Sequence, residues 1–226
     1  MFEIKKFKGN SSEIRAVFFT DRKKISDFKN IIARLPRGSA IIVREYDLNK
    51  IEREKFAQQI IDLVKSQNRH KALKVLVGKD LQLARKIKAD GIHYSDLERI
   101  PIKILKAKST KSFPQKFIFS LACHSEQSVI KSYKQSFDMI FISPIFTTTS
   151  HEDVKPIGLR NFSKIALKAK KQEYFRSEIY ATRIYAPRVY VSRIYALGGV
   201  NLQNLRAIRK LKIAGFGAID IFSIIQ

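Results

Sequence analysis

The sequence predicts an α/β protein, a small (β/α)8 TIM barrel that occupies the whole chain, 1–226, as one domain. Apolar runs of strand length alternate with amphipathic helical patterns through nearly the whole sequence. The apolar runs are continuous, which indicates strands buried on both faces, as parallel strands are. A chain of 226 residues fits the lower end of the size range of this barrel. An open, doubly wound sheet is the alternative, but no G-x-G-x-x-G follows the first strand.

The first half of the chain contains four predicted strands. Each is a short run rich in Ile, Val, Leu or Phe, bounded by polar residues or glycine. Apolar residues recur at helical spacing between these runs, so a helix is predicted after each strand. The predicted strands are Ala16–Asp21, Ser39–Glu45, Ala72–Val77 and Gly91–Tyr94, and the predicted helices are Ile25–Leu35, Ile51–Val64, Leu81–Ile87 and Leu97–Ala107.

The second half continues this alternation. We predict that Asn201 caps the helix after the seventh strand, since Asn is a favoured N-cap residue. The predicted strands are Lys116–Cys123, Met139–Ile145, Ile194–Leu197 and a last strand from Ala214 to Ser223, and the predicted helices are Glu126–Tyr133, Asn161–Lys170 and Leu202–Leu211.

An internal repeat interrupts the pattern before the seventh strand. Its copies are Ser177–Ala181, Thr182–Ala186, Pro187–Val191 and Ser192–Ala196. The five-residue period matches neither an α-helix nor a β-strand and is too short for a solenoid unit. We therefore predict an insertion at about 173–193 whose last copy merges into the strand. The alternative is a basic, Tyr-rich loop that binds nucleic acid.

The predicted eighth strand runs almost to Gln226, so the barrel is expected to lack its final helix. The outer face of that strand would then expose apolar surface near Ile219 and Ile221. An exposed patch of this kind is expected to be covered. The N-terminal segment, the insertion or a second subunit of a homo-oligomer could cover it.

The charge balance is strongly basic, with 44 Lys and Arg against 20 Asp and Glu. The cations are spread along the chain, which favours a solvated surface that attracts small anions over a nucleic-acid partner. No apolar run is long enough to span a membrane, so no membrane partner is expected. The single Cys123 excludes an internal disulfide and predicts a reducing, cytoplasmic location.

A candidate phosphate site follows the seventh strand. The strand ends at Gly198 and Gly199, directly before the helix predicted to start at Asn201. Glycine lets a ligand approach the main chain closely, and N–H groups at a helix N-terminus attract anions. A bulky residue at position 199 is therefore expected to abolish phosphate binding and spare the fold. Alternatively, the glycines only form a tight turn.

Three stretches of the sequence resemble the thiamine phosphate synthase/TenI superfamily of small barrels. The likeness covers roughly Ala16 to Ile225 without the insertion. It implies a phosphorylated thiazole ligand whose phosphate is held by the main chain at Gly198, Gly199, Ser223 and Ile224. The stretches are Ala89–His93, Phe141–Ser150 with Pro156–Leu159, and Leu197–Asn201 with Ala214-Gly215 and Ile221–Ile225.

The synthases of this superfamily join that thiazole to a pyrimidine methyl diphosphate and expel pyrophosphate, with Mg²⁺ neutralising charge. This chain departs from their pattern. Of their Q-x-R-x-K only Arg44 remains, and Lys79 stands where a metal-binding Asp is expected. No metal site is therefore assigned. The resemblance leaves Asp80 and Asp96 as weak candidates for Mg²⁺ ligands. It also leaves two candidate hydroxyls for the diphosphate, those of Thr148 and Ser150.

The TenI branch lacks the metal and pyrimidine determinants, so the main hypothesis is a TenI-like protein that binds thiazole phosphate. The resemblance implies that it tautomerises the thiazole with His124 as the acid/base, a role that suits histidine near neutrality. Because synthases also carry this histidine, His124 does not separate the branches; alternatively, it caps the following helix. A divergent synthase using Mg²⁺, and a non-catalytic, decaying family member, remain the alternative functions.

Overall fold

The strands form a closed, parallel barrel in chain order. The computed structural model describes residues 14–95, 100–101, 104, 113–114, 117–135, 137–148, 153–181 and 193–223, without the side chains of residues 134 and 172–181. Each strand pairs with the next, and the eighth pairs with the first. The predicted (β/α)8 barrel is confirmed, and the open sheet is wrong. The strands are β1 (Ala16–Phe19), β2 (Ser39–Val43), β3 (Leu73–Gly78), β4 (Gly91–Tyr94), β5 (Ile118–Cys123), β6 (Met139–Ile142), β7 (Arg193–Leu197) and β8 (Gly215–Ala218).

The helices surround this barrel. Side-chain caps fix the start of several of them: Asp27, Asn49, Asp80 and Ser125 each accept a hydrogen bond from a main-chain N–H of the first turn. The predicted helix Leu97–Ala107 lies largely outside the described residues. The helices are α1 (Phe28–Arg34), α2 (Lys50–Ser66), α3 (Leu81–Lys86), α4 (Glu126–Lys134), α5 (Gly158–Ala181) and α6 (Leu205–Arg209).

Large side chains fill the barrel interior. Phe141 packs between Phe19 and Tyr195, with ring centroids 5.2 and 5.1 Å away. The Tyr195 hydroxyl donates a hydrogen bond to the Ile14 carbonyl, 2.7 Å away, and so satisfies its polar atom inside the core. The strand residues between the inward-facing ones are buried against the helices. Burial on both faces explains the continuous apolar runs in the sequence.

Two aspartates each link the start of one strand to the strand before it. Asp90, directly before β4, accepts from the Val75 main-chain N–H at 2.9 Å, and Asp138, directly before β6, accepts from the Phe119 N–H at 2.7 Å. At Gly91 a Cβ would lie 2.2 Å from the Ile118 carbonyl oxygen, so only glycine fits beside β5. Strand packing therefore explains Asp90 and Gly91 in the Ala89–His93 stretch.

The chain after β8 differs from the prediction. The strand ends at Ala218 rather than Ser223, because Asp220–Phe222 forms a 3-10 turn. Phe222 packs against Phe18 and Phe216, with ring centroids 5.6 and 6.2 Å away. Ile221 is only 1% exposed, so the expected exposure there is wrong. The turn covers part of the face that a final helix would cover.

Helix α5 is longer than predicted. It starts at Gly158 and continues to Ala181, so it includes the first copy of the repeat. Its 24 residues measure about 36 Å at a rise of about 1.5 Å per residue. A five-residue period therefore did not exclude a helix. The last copy merges into β7, as predicted, and residues 182–192 lie outside the description. Within the described ranges, no helix is long and apolar enough to cross a membrane.

Candidate functional site

The carboxyl ends of the strands form a polar mouth above the packed interior. Because side chains alternate along a strand, the next inward positions after the core layer lie around this mouth. These positions supply ionisable groups, hydroxyl groups and glycines. They include Asp21, Arg44, Gly78, His124, Ser143 and Gly199.

His93 lies on the floor of the mouth as a neutral core residue. It is 3% exposed, its Nδ1 lies 2.9 Å from the Ser120 hydroxyl, and its ring packs edge-on against Phe19 and Phe141 at 5.3 and 5.7 Å. Burial, followed by the positive charge of Arg44, lowers the pKa of His93 from 6.5 to about 3. His93 is therefore a structural residue on the floor of the mouth.

This buried imidazole predicts a loss of stability in acid. The unfolded chain takes up a proton below its ordinary pKa of 6.5, whereas folded His93 stays neutral down to about 3. Stability should fall with decreasing pH across that window, by about 1.4 kcal/mol per pH unit from this group. Urea unfolding at pH 7 and pH 4.5 should give a larger loss for the wild type than for His93→Gln, by about 2–3 kcal/mol. Equal losses would contradict the assignment.

Arg44 extends from the end of β2 to the end of β1. Its Nε donates to the Thr20 carbonyl at 2.9 Å, and its Nη2 lies 3.4 Å from an Asp21 carboxylate oxygen. Its side chain is 27% exposed, so part of the guanidinium faces solvent. Those contacts use one N–H of Nε and one of Nη2, so further donors remain for an anion at the mouth.

Glu45 is a buried acid that the sequence did not single out. It is 5% exposed and accepts hydrogen bonds from the Thr20 hydroxyl and the Arg22 main chain. Burial raises the pKa of Glu45, and the Thr20 hydrogen bond opposes this shift. Since Thr20 also contacts Arg44, Glu45 helps to hold the ends of β1 and β2 together.

Two cations flank one aromatic ring beside Arg44. The Lys79 Nζ lies 4.3 Å from the centre of the Tyr46 ring, and the Arg53 Cζ lies 5.2 Å from it. The Arg53 guanidinium also donates to the Gly78 carbonyl. Burial raises the pKa of Tyr46 to about 12, so its hydroxyl is neutral at pH 7. Arg53 was not predicted as a site residue, because it lies on α2, outside the strand ends.

The carboxylates at this rim do not suit Mg²⁺. Asp80 accepts from the Leu83 N–H at 2.9 Å as the cap of α3, and its other oxygen lies 4.0 Å from Arg53. Mg²⁺ needs oxygen ligands in near-ideal octahedral geometry. Among the residues that the structure describes, no three His, Cys, Asp or Glu side chains converge on a metal position. Asp96 lies outside the description.

His124 is exposed at the mouth after β5. Its Nδ1 lies 3.1 Å from the Ser143 carbonyl oxygen, which can only accept. The neutral ring must therefore carry its proton on Nδ1, which leaves the Nε2 lone pair for proton transfer. The alternative that His124 caps α4 is wrong, because Ser125 caps it through a reciprocal pair with Ser128.

Gly198 and Gly199 pack tightly against the loop after β6. Both have positive φ, 90° and 65°. A Cβ on Gly198 would lie 2.7 Å from the Pro144 Cβ, and one on Gly199 would lie 2.2 Å from the Thr147 carbonyl oxygen. The expectation that a bulky residue at 199 spares the fold is therefore wrong. Helix α6 starts at Leu205 rather than Leu202, so it does not begin at the glycine turn.

The remaining predicted residues lie in different places. Thr148 is half-buried in the loop after β6. Ser223 donates to the Asp220 carbonyl at 2.7 Å and borders a cavity of about 160 Å³ beside α1. These contacts place Ser223 against α1 and the glycines against the β6 loop. Ser150 and Ile224 fall outside the described residues.

Comparisons with known proteins indicate one family. The sequence profile of the family described as thiamine monophosphate synthase matches residues 16–221. A protein of Aquifex aeolicus (strain VF5), provisionally named thiamine-phosphate synthase 2, is 28% identical over 92% of this chain and 97% of its own length. A thiamine-phosphate synthase of Latilactobacillus sakei is 30% identical over 62% of this chain and 52% of its own length.

A solved structure shares the fold. Thiamine phosphate pyrophosphorylase from Pyrococcus furiosus superposes with a TM-score of 0.66, covering 93% of this chain and 87% of its own. The two sequences are 19% identical, so this likeness concerns the barrel alone.

Proposed function

Since the chain belongs to the thiamine monophosphate synthase family, we propose that it joins a phosphorylated thiazole to a pyrimidine methyl diphosphate and releases pyrophosphate. The observation that carries this proposal is the cationic rim over β2 and β3, where Arg53 and Lys79 contact the Tyr46 ring and the charge of Arg44 also acts on Tyr46. The names of the relatives support coupling over the tautomerase hypothesis.

The proposed reaction places new negative charge on the leaving group. The bond between the pyrimidine methylene carbon and the diphosphate oxygen breaks, and its electron pair stays on the oxygen. The thiazole ring nitrogen then donates its lone pair to that carbon and forms the new C–N bond. Cations that are already in place where negative charge develops lower the barrier most, because the protein does not have to rearrange its polar groups during the step. Arg44, Arg53 and Lys79 would supply that neutralisation.

Mg²⁺ enters no step of this proposal. Among the described rim carboxylates, Asp80 caps α3 and lies near Arg53, and Asp21 pairs with Arg44. For the thiazole phosphate we propose the main chain at Gly198 and Gly199, with Thr148 as a diphosphate contact. Contributions of Ser150, Ser223 and Ile224 stay predictions from the resemblance. With its one cysteine and phosphorylated substrates, the chain is proposed to act in the cytoplasm.

The test supplies both substrates and measures thiamine monophosphate and released pyrophosphate. Product formed in equal amount with the pyrophosphate supports coupling. If thiazole phosphate binds and neither product forms, the coupling proposal is wrong, and the chain is a binding protein or a tautomerase.

Thiazole tautomerisation is the second candidate, and the geometry of His124 favours it. Its fixed Nδ1 proton leaves Nε2 at the mouth as a base. If the chain tautomerises the thiazole, His124→Gln should lower that rate by about a hundredfold or more, because it removes the proton acceptor. The same variant should still form thiamine monophosphate from the aromatic thiazole. An unchanged tautomerisation rate, measured by NMR on the thiazole alone, would discard this role.

A further inference from the structure

We propose that the Lys79 ammonium, held on the Tyr46 ring, takes the place of a divalent cation, so that this chain binds a diphosphate without a metal. The inference rests on the proposed function for the identity of the diphosphate substrate. The site itself is defined by the contacts at the rim.

The main chain fixes Lys79 in position. Its N–H donates to the His93 carbonyl at 2.7 Å, which joins the end of β3 to β4. Its φ of 60° is the left-handed conformation, which a lysine adopts rarely. This turn directs the side chain back over the end of β2, where the ammonium meets the face of Tyr46 at 4.3 Å. A ring face attracts a cation at this distance.

Gly78 makes room for the ring that holds this ammonium. A Cβ at position 78 would lie 2.4 Å from the Tyr46 hydroxyl oxygen, so only glycine admits the ring there. The hydroxyl is neutral, as the raised pKa of Tyr46 requires. Tyr46 therefore positions the Lys79 ammonium through its ring face and adds no negative charge beside it.

A second cation shares the same ring. Since Arg53 lies 5.2 Å and Lys79 lies 4.3 Å from the Tyr46 centroid, the two charged groups are at most 9.5 Å apart. The Arg53 side chain is 12% exposed, and its Nε has no hydrogen-bond partner among the described residues. Two like charges at this separation repel each other, and an anion that contacts both relieves that repulsion. A diphosphate is an anion with enough oxygens to contact both.

The same arrangement disfavours Mg²⁺. A metal at the end of β3 would lie beside Lys79 and Arg53, whose charges repel it, with Asp80 as the nearby described carboxylate. Charge neutralisation by an ammonium and a guanidinium replaces the ion here, because both donate hydrogen bonds to phosphate oxygens.

Calorimetric titration with inorganic pyrophosphate tests the inference. The wild type should bind it in EDTA, and saturating Mg²⁺ should not tighten binding. Lys79→Asn should weaken binding about tenfold or more, the effect of one charge-assisted contact. Asn suits positive φ, so the turn is preserved. The matched control is Lys88→Asn, because Lys88 is an exposed lysine with φ of 56° in the turn before β4, at the opposite end of the barrel. This control should bind like the wild type.

The outcomes separate this inference from the proposed function. Pyrophosphate binding that requires Mg²⁺ overturns the inference. The inference is also overturned if Lys79→Asn binds pyrophosphate like the wild type, provided that Lys79→Asn and Lys88→Asn melt at the same temperature. Lys79→Asp, which inverts the charge, should abolish binding in EDTA, and retained binding likewise overturns it. If the wild type binds pyrophosphate through Lys79 and forms no thiamine monophosphate, the inference holds and the proposed function is wrong. If product forms only with Mg²⁺, the coupling reaction is supported, whereas the metal-free step and this inference are both wrong.

Discussion

Gly199→Ala is expected to lower the free energy of unfolding by about 2–5 kcal/mol, the sum of a left-handed backbone and a steric clash. The new Cβ would lie 2.2 Å from the Thr147 carbonyl oxygen and 2.8 Å from the Phe146 Cβ. Neither atom is the far end of a flexible side chain, so the loop after β6 must move. Denaturant unfolding followed by circular dichroism measures the loss.

Gly158→Ala is the matched control for this prediction. Gly158 also has a positive φ, 74°, but a Cβ there would have no neighbour within 4 Å. It should cost only the backbone term, about 1–2 kcal/mol. Equal losses at 199 and 158 would show that the close approach to the β6 loop does not constrain residue 199. A larger loss of stability at position 199 would show that packing alone requires glycine there, independently of any ligand.

Arg44→Ala should lower kcat/KM for coupling by about a hundredfold to a thousandfold, as the removal of a preorganised donor to a developing anion does. Arg44→Lys should recover only part of the loss, because lysine keeps the charge and loses the planar fork. The measurement is steady-state formation of thiamine monophosphate.

The control for Arg44 lies on the same rim. Arg22 pairs with Asp47 at 2.7 Å, and both side chains are 38% exposed. An exposed pair of this kind contributes little, so Arg22→Ala should leave kcat/KM unchanged. A similar loss in both variants would assign the effect to the overall positive field, not to Arg44 itself. Because Arg44 also binds the Thr20 carbonyl, the melting temperatures of all variants need to be compared.

The sequence allowed the barrel to be predicted because its signal is local. Each buried strand is a continuous apolar run and each helix has its own periodicity, so β4 was predicted at its observed bounds, Gly91–Tyr94. The end of β8 was missed for a physical reason. Ile219, Ile221 and Phe222 are as apolar as a strand requires, but Asp220–Phe222 turns and buries its apolar side chains against β1 and β8.

The candidate site was predicted only in part. Arg44 and His124 were predicted through the family resemblance, and both lie at strand ends, where the active sites of such barrels are found. Arg53 and Tyr46 could not be assigned in this way, since their contact depends on how α2 packs against the barrel. The burial of Glu45 depends on the loop after β1, which no local pattern describes.

Closure of the barrel joins the two ends of the chain. Ala16 pairs with Phe216, and the Tyr195 hydroxyl reaches Ile14 through the interior. Local βα units can form early, whereas these contacts must overcome the entropy of closing a loop that contains nearly the whole polypeptide. We therefore expect ring closure to be a late event in folding, after which β1 loses its exposed edge and the folded protein offers no open strand to a neighbouring molecule at that seam.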